Sequence, residues 1–225
     1  MVRKKLISRT FIIVPLILLS LFSKNTSAQF HADKTWVGIA SDKPAASEIN
    51  LLYSDSETTR LEIITTGFWK ETIRTTNGNP EIKISSGNST PLLIKGAPDL
   101  EKLTASLAIP DLARMQVDIT EEEFTDFEGI YIIPSKGNLT RDINPDDIPY
   151  EYGSEYETDA FFPGIITELR KPHIIRDVRG QVVVIYPFRY NPVRKILRVY
   201  TRLVVEVKVA GLDGENPMTV RREGR

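Results

Sequence analysis

The residues best placed to do chemistry are Ser135-Lys136-Gly137-Asn138-Leu139-Thr140-Arg141-Asp142. They lie between a strand-like run, Ile130 to Pro134, and the turn signal Asn144-Pro145-Asp146. A segment so bounded is a surface loop, and its long cation projects into solvent. The Arg141 guanidinium can meet a carboxylate through two parallel hydrogen bonds, a geometry that the ammonium of lysine cannot match. An extended loop carrying one arginine is the shape that a protease with an acidic specificity pocket accepts.

Catalysis by the chain itself lacks its parts. The sequence has no cysteine, which removes thiol nucleophiles, disulfides and Cys-type metal sites. Its two histidines, His31 and His173, stand in no metal-ligand spacing. His31 follows the N-terminal leader, and His173 beside Pro172 reads as a surface or core-edge residue at the start of an apolar strand. The acidic groups Asp146-Asp147 and Glu121-Glu122-Glu123 read as turn or cap residues. No phosphate-binding Gly-rich loop, nucleophile elbow or calcium loop is present. No catalytic residue, metal or cofactor is therefore expected.

The elements that must position the loop begin after a leader. Arg3, Lys4, Lys5 and Arg9 precede an apolar run from Phe11 to Phe22, and Thr26-Ser27-Ala28 offers small residues for cleavage. Residues 1–28 are read as a signal peptide cut between Ala28 and Gln29. The apolar run is short for a membrane span, which needs roughly 20 residues, so no stable span is expected after removal. Taking the leader's five basic residues from the chain's 29 leaves 24 against 30 acids, a net charge of −6. That balance excludes a phosphate-backbone binder, so no nucleic-acid partner is expected.

Residues 29–225 are enough for one domain with a sizeable core. From Leu197 to Val209 apolar residues alternate with Arg198, Arg202, Glu206 and Lys208, the pattern of a half-buried antiparallel strand. Gln181 to Tyr190 precedes it across Asn191-Pro192, which predicts a hairpin. Arg60 to Thr66, Phe68 to Thr75, Ile82 to Ile84, Leu103 to Ile109 and Met115 to Ile119 read as further strands, with Asn77-Gly78 as a two-residue turn. No long apolar stripe of helical period appears. The expected fold is all-β, an antiparallel, jelly-roll-like β-sandwich. Charge is segregated: twelve acids from Glu121 to Asp159 face only Lys136 and Arg141, whereas Ile166 to Lys208 carries ten basic residues against three acids. Solvated faces and a steering surface for a charged partner are both open readings.

Two turn-rich motifs carry a family likeness. The first runs from Ile133-Pro134-Ser135-Lys136-Gly137 through Asn144-Pro145-Asp146-Asp147-Ile148-Pro149-Tyr150 to Tyr152-Gly153. The second includes Phe161-Phe162-Pro163-Gly164, Pro172-His173, Arg176-Asp177-Val178-Arg179-Gly180-Gln181-Val182-Val183 and Tyr190-Asn191-Pro192-Val193. Gly96-Ala97-Pro98, Leu100 and Ser106-Leu107-Ala108-Ile109 add to it. These residues resemble the propeptides of the gingipains, secreted bacterial cysteine proteases, and the Arg-specific branch in particular. The likeness is dense from Gly96 to Val209 and general in character from Gln29 to Thr90.

The resemblance implies an inhibitory and folding module that docks on an Arg-specific gingipain-like catalytic domain, in cis or in trans, and is exported to the periplasm or beyond. It places Arg141 in the partner's specificity pocket, Leu139 and Thr140 along the non-primed subsites, and Asp142 just after the bond open to cleavage. Two residues depart from the family pattern: Asp142, where a small residue is usual, and Glu101, where a second proline is common. The resemblance also makes Arg225 the processing site. Such an ending fits a free-standing inhibitor, the front of a split protease gene, or a chain cut at its junction. The competing class is a secreted adhesion or glycan-binding sandwich, for which Trp36, Trp69, Tyr150, Tyr152 and Tyr156 are the stacking candidates.

Overall fold

The structure, a computed structural model, describes residues 34–74 and 80–219. The leader, the Ala28–Gln29 cleavage pair, His31, the Asn77-Gly78 turn and Arg225 lie outside these residues.

Among the described residues thirteen strands follow one another: β1 (Lys34–Gly38), β2 (Glu48–Ser54), β3 (Thr58–Ile64), β4 (Gly67–Arg74), β5 (Pro80–Ser85), β6 (Thr90–Pro91), β7 (Glu101–Ala108), β8 (Arg114–Phe127), β9 (Thr167–Leu169), β10 (His173–Ile175), β11 (Val178–Ile185), β12 (Phe188–Asn191) and β13 (Ile196–Gly211). All their pairings are antiparallel. The chain is the antiparallel all-β protein that its alternating patterns predict.

The strand β13 is the spine. One edge pairs with β8 over nearly its whole length, while the other edge pairs first with β12 and then with β3. Its alternation serves two cores in succession. Leu203, Val205 and Val207 pack with Leu61, Ile63, Leu103, Val183 and Ile185, between the β3–β13 and β7–β11 layers. Leu197 and Val199 pack with Phe68, Ile82, Ile84, Leu100, Ile132, Phe188 and Tyr190, against the small β1–β4–β5 sheet. Each fully buried aliphatic or aromatic side chain contributes roughly 1.5–3 kcal/mol.

The predicted hairpin forms, but only through β12: Phe188 lies opposite Val199 and Asn191 opposite Ile196. The preceding residues, β11, leave for another sheet and pair with β7, β9 and β10. Pro187 divides the run because it has no N–H for a ladder, while its carbonyl accepts from the Tyr200 amide at 2.8 Å.

Glu121, Glu122 and Glu123 correct a prediction. They lie within β8 and not in a turn, because bulges let this strand follow β13 for its full course. The segregated charges thereby meet across strands. Arg202 pairs with Glu62 at 2.8 Å and Glu121 at 2.6 Å, Arg198 with Asp126 at 2.8 Å, and Lys208 with Asp118 at 2.9 Å. The acidic β8 block and the basic β13 block are largely one internal ladder, which leaves less unpaired charge to steer a partner.

Candidate functional site

The loop of residues 135–153 has both feet on one glycine. Gly96 N donates to Ser135 O at 2.9 Å, and Gly153 N donates to Gly96 O at 2.8 Å. Gly96 has φ +83°, and a Cβ there would stand 3.2 Å from the Gly153 nitrogen, so glycine is required twice over. The Ser135 amide donates to Ala97 O at 2.8 Å, and Ser135 is buried. The incoming stretch is fixed by Ile82 N to Tyr131 O at 2.7 Å and Ile133 N to Ile82 O at 3.0 Å, with Ile132 and Ile133 in the interior.

Beyond Ser135 the chain emerges. Gly137 has φ +84°, and a Cβ there would press on Lys95 Cβ at 3.0 Å. Leu139 is half-buried, whereas Thr140, Arg141 and Asp142 are exposed. The loop is not extended throughout: Ile143 N donates to Thr140 O at 3.1 Å, so Arg141 and Asp142 occupy the middle of a tight turn. Among the described residues, none forms an ion pair or hydrogen bond with the Arg141 side chain. The nearby Thr140 hydroxyl chiefly holds the Asp142 carboxyl below its usual range. Asp146 and Asp147 form the expected turn, a single 3-10 turn at Pro145–Asp147 capped by the Asn144 side chain.

Two supports escaped the sequence reading. Lys136 Nζ donates to Pro145 O at 2.7 Å, nine residues on, and sits 4.1 Å from the Tyr150 ring centroid. Tyr152 donates its hydroxyl to the buried Glu81 and meets Tyr156 edge-on, and Tyr156 donates to Ile132 O at 2.8 Å. A lysine at the start of a turn-rich segment gives no signal of what it will reach, because its acceptor is a backbone carbonyl.

His173 opens β10, half-buried, with its ring above Gly180. The stacking candidates are engaged within the fold: Trp36 and Trp69 cross edge-on at 5.5 Å, and Trp36 donates to Ser41 O at 3.1 Å. Among the described residues no cluster of three or more potential ligands could hold a metal, and no helix is long and apolar enough to cross a membrane.

Glu101, one of the two departures, is buried and accepts from the Ser86 amide at 3.0 Å and from the Ser89 hydroxyl. Burial pushes its carboxyl above the ordinary range, and the two donors only partly offset that. With the folded pKa raised, the stabilisation is complete below the unfolded value and is lost as pH rises through the folded one. Thermal unfolding of wild type and Glu101→Gln should therefore show the wild type losing ground to the variant as pH rises above the ordinary glutamate value of about 4. A difference that does not change with pH refutes the reading.

A match to the Propeptide_C25 family spans residues 49–220. The chain belongs to that family. Gingipain R2 of Porphyromonas gingivalis is 46% identical over 126 residues, which are 56% of this chain and 17% of the relative. Gingipain R1 of the same organism is 45% identical over 122 residues, 54% of this chain and 12% of the relative. The chain thus covers less than a fifth of the curated relatives it matches. Among solved structures, the complex of P. gingivalis RgpB pro- and mature domains matches with TM-score 0.73 at 36% identity, over 77% of this chain and 90% of that one. A structure bearing on the zymogenic latency of gingipain K matches with TM-score 0.65 at 16% identity, over 79% and 99%, and shares the fold. The Propeptide_C25 match covers both feet of the 135–153 loop and Gly96 between them.

Proposed function

We propose that this chain is a non-catalytic latency module that docks on a gingipain-type cysteine protease and fills its cleft with the Leu139–Asp142 loop, Arg141 entering an acidic specificity pocket. The observation that carries this reading is an exposed arginine, free of described partners, on a loop whose feet are both tied to Gly96. A stem fixed in this way lowers the ordering cost of binding. The likeness to a propeptide solved together with its mature domain supports the same reading. Without cysteine the chain has no thiol nucleophile of its own. Export through the 1–28 leader, cleavage after Ala28 and processing at Arg225 belong to the same proposal.

The test is a titration of the purified protein into mature gingipain R2, following hydrolysis of a small arginyl substrate. Stoichiometric inhibition that depends on Arg141 is the expected result. Equal failure of wild type and Arg141→Ala to inhibit would overturn the proposal, and binding of a glycan would favour the adhesion reading. Edge-on packing of Trp36 with Trp69 and of Tyr152 with Tyr156 argues against a flat sugar platform.

A further inference from the structure

A loop that offers arginine to an arginine-specific protease is by the same chemistry a substrate, and something must keep its peptide bond intact. Proteases take their substrates in extended conformation on both sides of the bond. Here the chain leading to Arg141 has no regular structure, but the Arg141–Asp142 peptide is the central bond of a tight turn, closed by Ile143 N to Thr140 O at 3.1 Å. The chain after Arg141 is directed back towards its own stem. There it enters the 3-10 turn Pro145–Asp147, capped by Asn144 Oδ1 accepting from Asp146 N at 3.2 Å.

One side chain joins the two arms. Lys136 leaves the ascending arm one residue beyond the buried Ser135, donates to the Pro145 carbonyl of the descending arm at 2.7 Å and lies over the Tyr150 ring at 4.1 Å. A charge-assisted hydrogen bond and a cation–π contact from the same ammonium therefore close the neck of the loop formed by residues 137–144. The Pro145 nitrogen carries no hydrogen, so the residue whose carbonyl Lys136 grips cannot donate to a strand ladder.

We infer that Lys136 is a positioning residue that decides whether the Arg141 loop acts as an inhibitor or as a substrate: by holding Pro145 and Tyr150 it keeps the loop turned, so that Arg141 is presented while the Arg141–Asp142 bond resists cleavage. The inference rests on the proposed role of Arg141, and the experiment separates the two.

Trypsin, which cuts after accessible arginine and needs no docking surface, reads the loop directly. The chain provides an internal control with the same dipeptide, Arg176-Asp177, in the exposed turn between β10 and β11. Intact-mass analysis of limited digests should show Lys136→Met, which keeps the aliphatic stem and loses the donor, nicked at Arg141–Asp142 about tenfold faster than wild type, roughly what one charge-assisted hydrogen bond supplies. Lys136→Arg, which retains a donor and a cation over Tyr150, should stay within about threefold of wild type. Cleavage at Arg176–Asp177 should be the same in all three proteins. Equal nicking of wild type and Lys136→Met at Arg141 overturns the inference, and so does a parallel rise at Arg176, which would report general unfolding. With mature gingipain R2, Lys136→Met should inhibit at first and then lose inhibition as it is consumed, whereas wild type persists. Absence of inhibition by wild type would sink the Arg141 role and leave the trypsin ratio to judge the neck.

Discussion

Arg141→Ala is expected to weaken inhibition of mature gingipain R2 by about two to three orders of magnitude. A guanidinium that pairs bidentately with a carboxylate in a desolvated pocket costs roughly 2–5 kcal/mol when truncated, much of it the penalty of leaving the pocket acid unpaired, and each 1.4 kcal/mol is about a tenfold change. Arg141 is exposed and unpaired within the described chain, so its loss should leave the unfolding temperature unchanged. Arg141→Lys should fall between the two, since it restores the charge and loses the fork. The measurement is the inhibition constant of the three proteins, with thermal unfolding alongside. An alanine variant that inhibits within about threefold of wild type would show that the affinity lies elsewhere on the module.

Arg179→Met should destabilise the protein by about 3–5 kcal/mol, a large share of the roughly 5–15 kcal/mol typical of a folded domain. Arg179 sits on β11 at 1% exposure. Its guanidinium donates to Pro110 O at 2.7 Å, Ala113 O at 2.8 Å, Glu215 O at 2.6 Å and Asn216 O at 2.9 Å. It therefore fastens the chain beyond β13 to the loop before β8, and methionine would leave four carbonyls without that donor. Lysine should recover little, because one ammonium cannot serve four acceptors in a fixed fan. Denaturant unfolding followed by Trp36 and Trp69 fluorescence should show the midpoint falling at unchanged slope. A shift below about 1 kcal/mol would mean that water replaces the guanidinium at little cost.

Arg179 also shows what the sequence could and could not disclose. The run from Arg176 to Val183 marks the family, yet nothing in it says that one of its arginines is interior, because the acceptors are backbone carbonyls far away in the chain. The strand nature of β13 was legible, since a period of two with charge on one face has few other solutions. Its neighbours were not: whether Glu121 to Asp126 form a solvated acidic stretch or the counter-charges of Arg198 and Arg202 depends on strand order, which periodicity does not contain. The continuous look of Gln181 to Tyr190 concealed the change of sheet at Pro187. At the site, the turn residues and the exposed arginine could be read directly. The part played by Gly96 as the common foot of the loop could not, because its two bonds reach Ser135 and Gly153, well ahead in sequence.

The single strand β13 serves both cores, and this bears on how long such a protein lasts among proteases. Opening either half strips packing from the strand on which both depend, so each interior favours the closed form of the other. Proteolysis inside the body is then expected to follow the opening of both together, while exposed turns are trimmed separately. Durability of this kind comes from sharing one backbone segment between two interiors, with no covalent cross-link to supply it.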